Sequence, residues 1–62
     1  MRDLSPMVPA MKRCTREYVD GYLTRADELA NLGQYGDAAE QLRSAAHQYD
    51  LLAHELDRLE QA

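Results

Sequence analysis

Apolar residues recur at threes and fours along two stretches of this chain, and a cluster of helix breakers separates them. Met7, Met11, Cys14, Tyr18, Tyr22, Ala26, Leu29 and Leu32 mark the first stretch. That spacing lines up one face of a helix, because a turn takes 3.6 residues. Val19, Leu23 and Ala30 widen the stripe, and a wide stripe implies contact with more than one neighbour. Ala38, Leu42, Ala45, Tyr49, Leu52, Leu56 and Leu59 mark the second stretch, alternating four and three without a slip. This is a heptad seam, the pattern of helices packed at a shallow angle. Ala39, Ala46 and Ala53 form another stripe at seven-residue spacing, and Leu51 lies off the main seam. The pattern predicts helices over about residues 7–32 and 37–60, folded into an all-α antiparallel hairpin.

The bend falls in Asn31-Leu32-Gly33-Gln34-Tyr35-Gly36-Asp37-Ala38. Gly33 follows the last periodic residue of the first helix, where a residue of positive φ ends a helix without a Cβ clash. Gly36 loosens the backbone again. Asp37 stands three residues before Glu40, a capping-box spacing that gives the exposed amides of a new helix two acceptors. At the other end, residues 1–5 read as a short tail and 6–62 as one domain. Ser5-Pro6 suits a helix start. The alternative is a start at Pro9 or Ala10, with Leu4, Met7 and Val8 as an apolar arm. Asp20-Gly21 is a turn signal inside the first helix. We expect a continuous helix there, with a close helix crossing offsetting the ~1 kcal/mol cost of Gly21; a kink is the alternative.

Gly33-Gln34-Tyr35-Gly36-Asp37-Ala38, followed by Leu42 and Ala45, resembles the turn and second helix of a tetratricopeptide repeat. In the same register Tyr22, Ala26 and Leu29 take the large, small and large positions of the first helix. The resemblance covers about residues 19–52, one repeat of about 34 residues. Arg25 stands where that family prefers Leu, and Asp50 where a closing Pro is common. The resemblance implies protein or peptide binding in a groove of several stacked repeats, and this chain holds one unit. It also implies that Tyr35 packs at the bend.

Sixty-two residues make one domain at most, of a size that buries only ~60% of its unfolded surface. The hydrophobic fraction of 45% and charged fraction of 29% are globular. Phe and Trp are absent, which favours close packing through Ala, Leu, Met and Tyr. The net charge of −4 is uneven. Five basic residues face three acidic ones up to Ala26, and two face eight beyond it. An acidic whole argues against general nucleic-acid binding. A single cysteine, Cys14, leaves no internal disulfide and fits a reducing compartment. No apolar run suits a signal peptide or a bilayer span, so the expected setting is cytoplasmic, with no membrane.

Few residues suggest chemistry. Lys12, Arg13 and Arg16 oppose the dipole at the start of the first helix. With Arg25 they would form the face of an RNA-binding reading. The stronger account is pairing with Glu55, Asp57 and Glu60 across the hairpin. His47, Asp50, His54 and Asp57 share a face of the second helix, but the histidines lie two turns, ~10 Å, apart. A solvated polar face is expected there, with no metal and no cofactor. Cys14 reads as a small core residue, with no positioned base to make it a nucleophile.

A two-helix hairpin encloses no interior, so its flanks stay wet. Pairing of two copies into a four-helix bundle is the simplest remedy. The hairpin core is expected from Tyr22, Ala26, Leu29, Tyr35, Ala38, Leu42, Ala45, Tyr49, Leu52 and Leu56. Self-association is assigned to Ala39, Ala46, Leu51 and Ala53. Met7, Val8, Met11, Val19 and Leu23 would meet a larger protein partner. The expected function is non-enzymatic: a regulator, inhibitor or co-chaperone, such as an accessory protein of a bacterium or phage. The alternative is an RNA-binding dimer of the Rop type, similar in size and layout.

Overall fold

The computed structural model describes residues 7–61. The expected tail, the start at Ser5-Pro6 and Leu4 lie outside them. Helix α1 spans Met7–Asn31 and helix α2 spans Tyr35–Gln61. They fold back on each other as the hairpin the periodicity predicts. Pro9 sits in the first turn of described α1, where its missing N–H removes no helical bond. The helix runs on through Asp20-Gly21 without a break.

Gly33 makes the bend, with φ of 78°. Its N–H donates to the Ala30 carbonyl at 3.0 Å, and the Gln34 N–H donates to the Leu29 carbonyl at 2.9 Å. These two bonds form a Schellman closure, which satisfies carbonyls that the ended helix leaves open. The Gln34 carbonyl in turn accepts from the Ala38 N–H at 3.0 Å, opening α2. So α2 begins two residues before the expected boundary. Asp37 is not the cap; it lies in the first turn, where its charge favours the positive helix end. Gly36 falls inside that turn, where no bend is needed.

The interface is narrow. Val19, Ala26 and Leu29 of α1 are buried, with Ala38 and Ala45 of α2. Ala26, Leu29 and Ala38 touch near the bend, with Ala30 packed against them. No large side chain is fully enclosed among the described residues. The Cα atoms span only 8 Å in the thinnest direction, a single layer of two rods.

Both expected stripes are rotated in part. On α1, Val8, Met11, Thr15, Val19 and Tyr22 turn inward. Met7, Cys14 and Tyr18, each one position earlier, are exposed, as is Leu32 at the bend. Val19, expected to meet a partner, is the most buried residue, at 3% exposure. A compact β-branched side chain fits between backbones held close by alanines, whereas a Tyr ring keeps its hydroxyl in water. On α2 the inward line includes Ala38, Gln41, Ala45, Gln48, Leu52, Glu55 and Leu59. Gln and Glu cover apolar surface with their stems while their heads reach water. Leu42 and Tyr49, expected in the core, stand at 49% and 50% exposure. Tyr35 does not pack at the bend; it is 72% exposed. Gly21 meets no atom within 4 Å of an added Cβ, so no close crossing accounts for it.

Candidate interaction surface

One helical step decides which broad side of the hairpin a residue occupies. In antiparallel helices, residues just before the inward positions share one side, and residues just after them share the other. Cys14 precedes Thr15, and Leu51 precedes Leu52. Both line one open depression, with Met11, Gln48 and Glu55, of about 230 Å³. This is below the ~300–1,000 Å³ of ligand sites and wide open. Cys14 is exposed there, not in the core. Leu51, expected with Ala39, Ala46 and Ala53, lies on this opposite side from them.

The other broad side carries a longer apolar feature. Tyr35, Ala39, Leu42, Ala46, Tyr49, Ala53 and Leu56 recur at four and three along α2. Large residues repeat every seven positions, and alanines repeat every seven between them. Tyr35, Leu42 and Tyr49 are exposed large side chains; Ala46 and Ala53 are exposed, and Ala39 and Leu56 half-buried. The stripe is about 32 Å long at 1.5 Å per residue. Leu23 of α1, 45% exposed, follows Tyr22 and so lies on this side. Lys12, Arg16 and Asp27 follow Met11, Thr15 and Ala26, and share it.

The charged groups are arranged more simply than expected. Arg25 pairs with Glu28 at 3.4 Å, and Arg58 with Glu55 at 3.0 Å. Both pairs lie within one helix turn and are well exposed, where such contacts contribute about 0–1 kcal/mol. The expected pairing of Lys12, Arg13 and Arg16 with the end of α2 does not form among the described residues. Glu55 is turned to Arg58 instead. Lys12, Arg13 and Arg16 are exposed. His54 Nδ1 lies 2.7 Å from the Asp50 carbonyl oxygen, so that nitrogen carries the proton and donates. No group of three metal-ligating side chains gathers among the described residues, and no described helix is long and apolar enough to cross a membrane.

Of the residues expected in the core, Ala26, Leu29, Ala38 and Ala45 are buried, and Tyr22, Leu52 and Leu56 are half-buried. Of those expected to meet a larger partner, Met7 and Leu23 are exposed, Val8 and Met11 half-buried, and Val19 enclosed. The surface that sequence reasoning missed is Tyr35-Leu42-Tyr49. Its signal was present: the three sit seven residues apart, one turn from each alanine of the small stripe. Comparison with family models, curated proteins and solved structures returns no match for this chain.

Proposed function

We propose that this hairpin is a small non-enzymatic protein-interaction module, a regulator, inhibitor or co-chaperone that presents a helical face. One observation carries the reading. Tyr35, Leu42 and Tyr49 stand in line on α2, each about half exposed or more, with alanines between them. Tyr is a favoured interface anchor, and contiguous apolar patches on a small monomer mark sites that another molecule covers. Leu23 extends the patch onto α1. Binding without chemistry needs only such a rigid face. The tetratricopeptide resemblance fits the same use, since a repeat unit leaves one face for its neighbour.

Affinity capture with mass spectrometry tests the proposal, run on the parent protein beside Tyr49→Asp. A specific partner, or a second copy, retained by the parent and lost in the variant is the expected result. Equal retention by both would place binding elsewhere.

A second reading, RNA contact, is favoured by Lys12, Arg13 and Arg16 standing exposed without a carboxylate within 4 Å among the described residues. Arg25, the fourth member, is tied to Glu28. RNA retained at low salt and released steeply as salt rises supports it; no retention at low salt removes it.

A further inference from the structure

We infer that the occupant of the α2 stripe is a second copy of this chain, docked antiparallel about a two-fold axis between His47 and Gln48. The inference rests on the interaction reading above and names its partner. It starts from the alternation of sizes. Antiparallel pairing about that axis sets Tyr49 of one copy over Ala46 of the other, Leu42 over Ala53, and Leu56 over Ala39. Each large side chain meets a small one, and the symmetry repeats every contact. Knob-to-gap packing of this kind is what close helix approach requires.

The charges beside the stripe select the direction. Arg43 and Asp50 each follow a stripe residue on the side away from α1. Antiparallel docking brings Arg43 of each copy opposite Asp50 of the other. Parallel docking about a two-fold would leave Arg43 and the other copy's Asp50 on opposite sides of the seam, so this pairing would not form. The same axis fixes what helix α1 presents. Leu29 packs in one cluster with Ala38, and Thr15 and Leu52 line one depression; setting these pairs level puts the axis across α1 between Val19 and Asp20. There, Lys12 comes opposite Asp27 of the other copy and Leu23 opposite the Arg16 stem, while Asp20, which follows Val19 on the same side, meets its own copy at the axis, a like-charge contact flanked one turn away by Arg16 of each copy. All five residues are on the same broad side as the α2 stripe. Lys12 thereby gains a carboxylate that the single hairpin does not supply.

Area requires both helices. One helix about 10 Å across, in contact over about 30 Å, covers roughly 300 Å², and two cover roughly 600 Å². A standard stable interface buries ≈ 800 Å² per partner, so hairpin on hairpin approaches it and helix on helix does not.

Cysteine cross-linking reads the register. In the full chain carrying Cys14→Ser, single cysteines replace Ala39, Ala46 or Ala53. The axis leaves Ala46 about 4–5 Å along the helix from its own copy, Ala53 about 16 Å and Ala39 about 25 Å. Under mild oxidation Ala46→Cys should form a covalent dimer at least about tenfold faster than the other two alone. An equimolar mixture of Ala39→Cys and Ala53→Cys should give the mixed dimer. Rapid self-linking of Ala39→Cys and Ala53→Cys, or equal rates at all three, overturns the antiparallel register. Arg43→Asp should weaken self-association, and Arg43→Asp with Asp50→Arg should restore it; no restoration removes the charge argument. A helical chain that sediments as a monomer up to about 100 µM, where micromolar dimers are populated, overturns the second copy altogether. In that case loss of a different captured protein with Tyr49→Asp would still uphold the interaction reading, and its absence would remove both.

Discussion

The two heptad lines of α2 differ in an unexpected direction. The line that packs on α1 holds Ala38, Gln41, Ala45, Gln48, Leu52, Glu55 and Leu59; the line beside it holds Tyr35, Ala39, Leu42, Ala46, Tyr49, Ala53 and Leu56. The inner line has three polar members and the outer line has no charged or amide side chain. Near the bend the inner line is small, Ala38 and Ala45, where the backbones run close; Leu52 and Leu59 enter it only farther out. Leu42 and Tyr49 stand on the flank while Gln41 and Gln48 lie inward with their polar heads reaching water. A greasier line outside an inner seam is the contrast on which the proposed interaction surface rests.

The largest expected effect separates the lines directly. Leu29→Ala removes the most enclosed leucine, 6% exposed, and should cost about 2–3 kcal/mol. For a domain this small that lowers the melting temperature by roughly 8–24 °C. Leu42→Ala, measured at concentrations where the chain is monomeric, should cost under about 0.5 kcal/mol. If copies pair as proposed, Leu42→Ala should also lower the melting temperature at concentrations where they do. Equal costs for the two variants in dilute solution would mean that both lines are core in the monomer.

Hairpin topology was legible because the signals for it are local. Gly33 supplies the positive φ, and periodicity to either side is strong over several turns. Which of two neighbouring lines turns inward was not legible, because a step of one residue moves a side chain only 100° and both lines are apolar enough. At 18–19 and 14–15 on α1 the choice fell to the smaller or β-branched residue, Val19 and Thr15, over Tyr18 and Cys14. That selection depends on the distance between helix axes, which is a tertiary quantity. Ion pairing failed for a related reason: Glu55 has Arg58 three residues away on its own helix, and a local partner needs no long-range alignment. The exposed surface was half legible, its alanines recognised and its tyrosines assigned to the core.

The glycines sharpen the contrast between bend and rod. Gly33→Ala forces a Cβ into positive φ and should destabilise by about 1 kcal/mol. Gly21→Ala lies in a straight, exposed run of α1 with nothing near the new methyl, and should stabilise by about 0.5–1 kcal/mol. Thermal melts of the two variants should therefore move in opposite directions. A loss at Gly21 would reveal a contact made by that face in the folded or paired state.

The smallest effects belong to the two surface ion pairs, and they should differ. In α2, Glu55 precedes Arg58, which sits in the last turn. That order agrees with the helix dipole, since a cation near the C-terminal end is favourable. In α1, Arg25 precedes Glu28, placing an acid near the negative end of the helix. The same geometric contact therefore works with the dipole in one helix and against it in the other. Arg58→Ala should cost about 0.3–0.5 kcal/mol at low ionic strength, with the difference fading as salt screens exposed charges. Glu28→Gln should be neutral or stabilising by a few tenths of a kcal/mol, because losing the contact with Arg25 is offset by relief at the helix end. Denaturant melts at low and at high salt measure both. Equal losses from the two variants would mean that pair geometry, rather than its position along the dipole, sets the contribution.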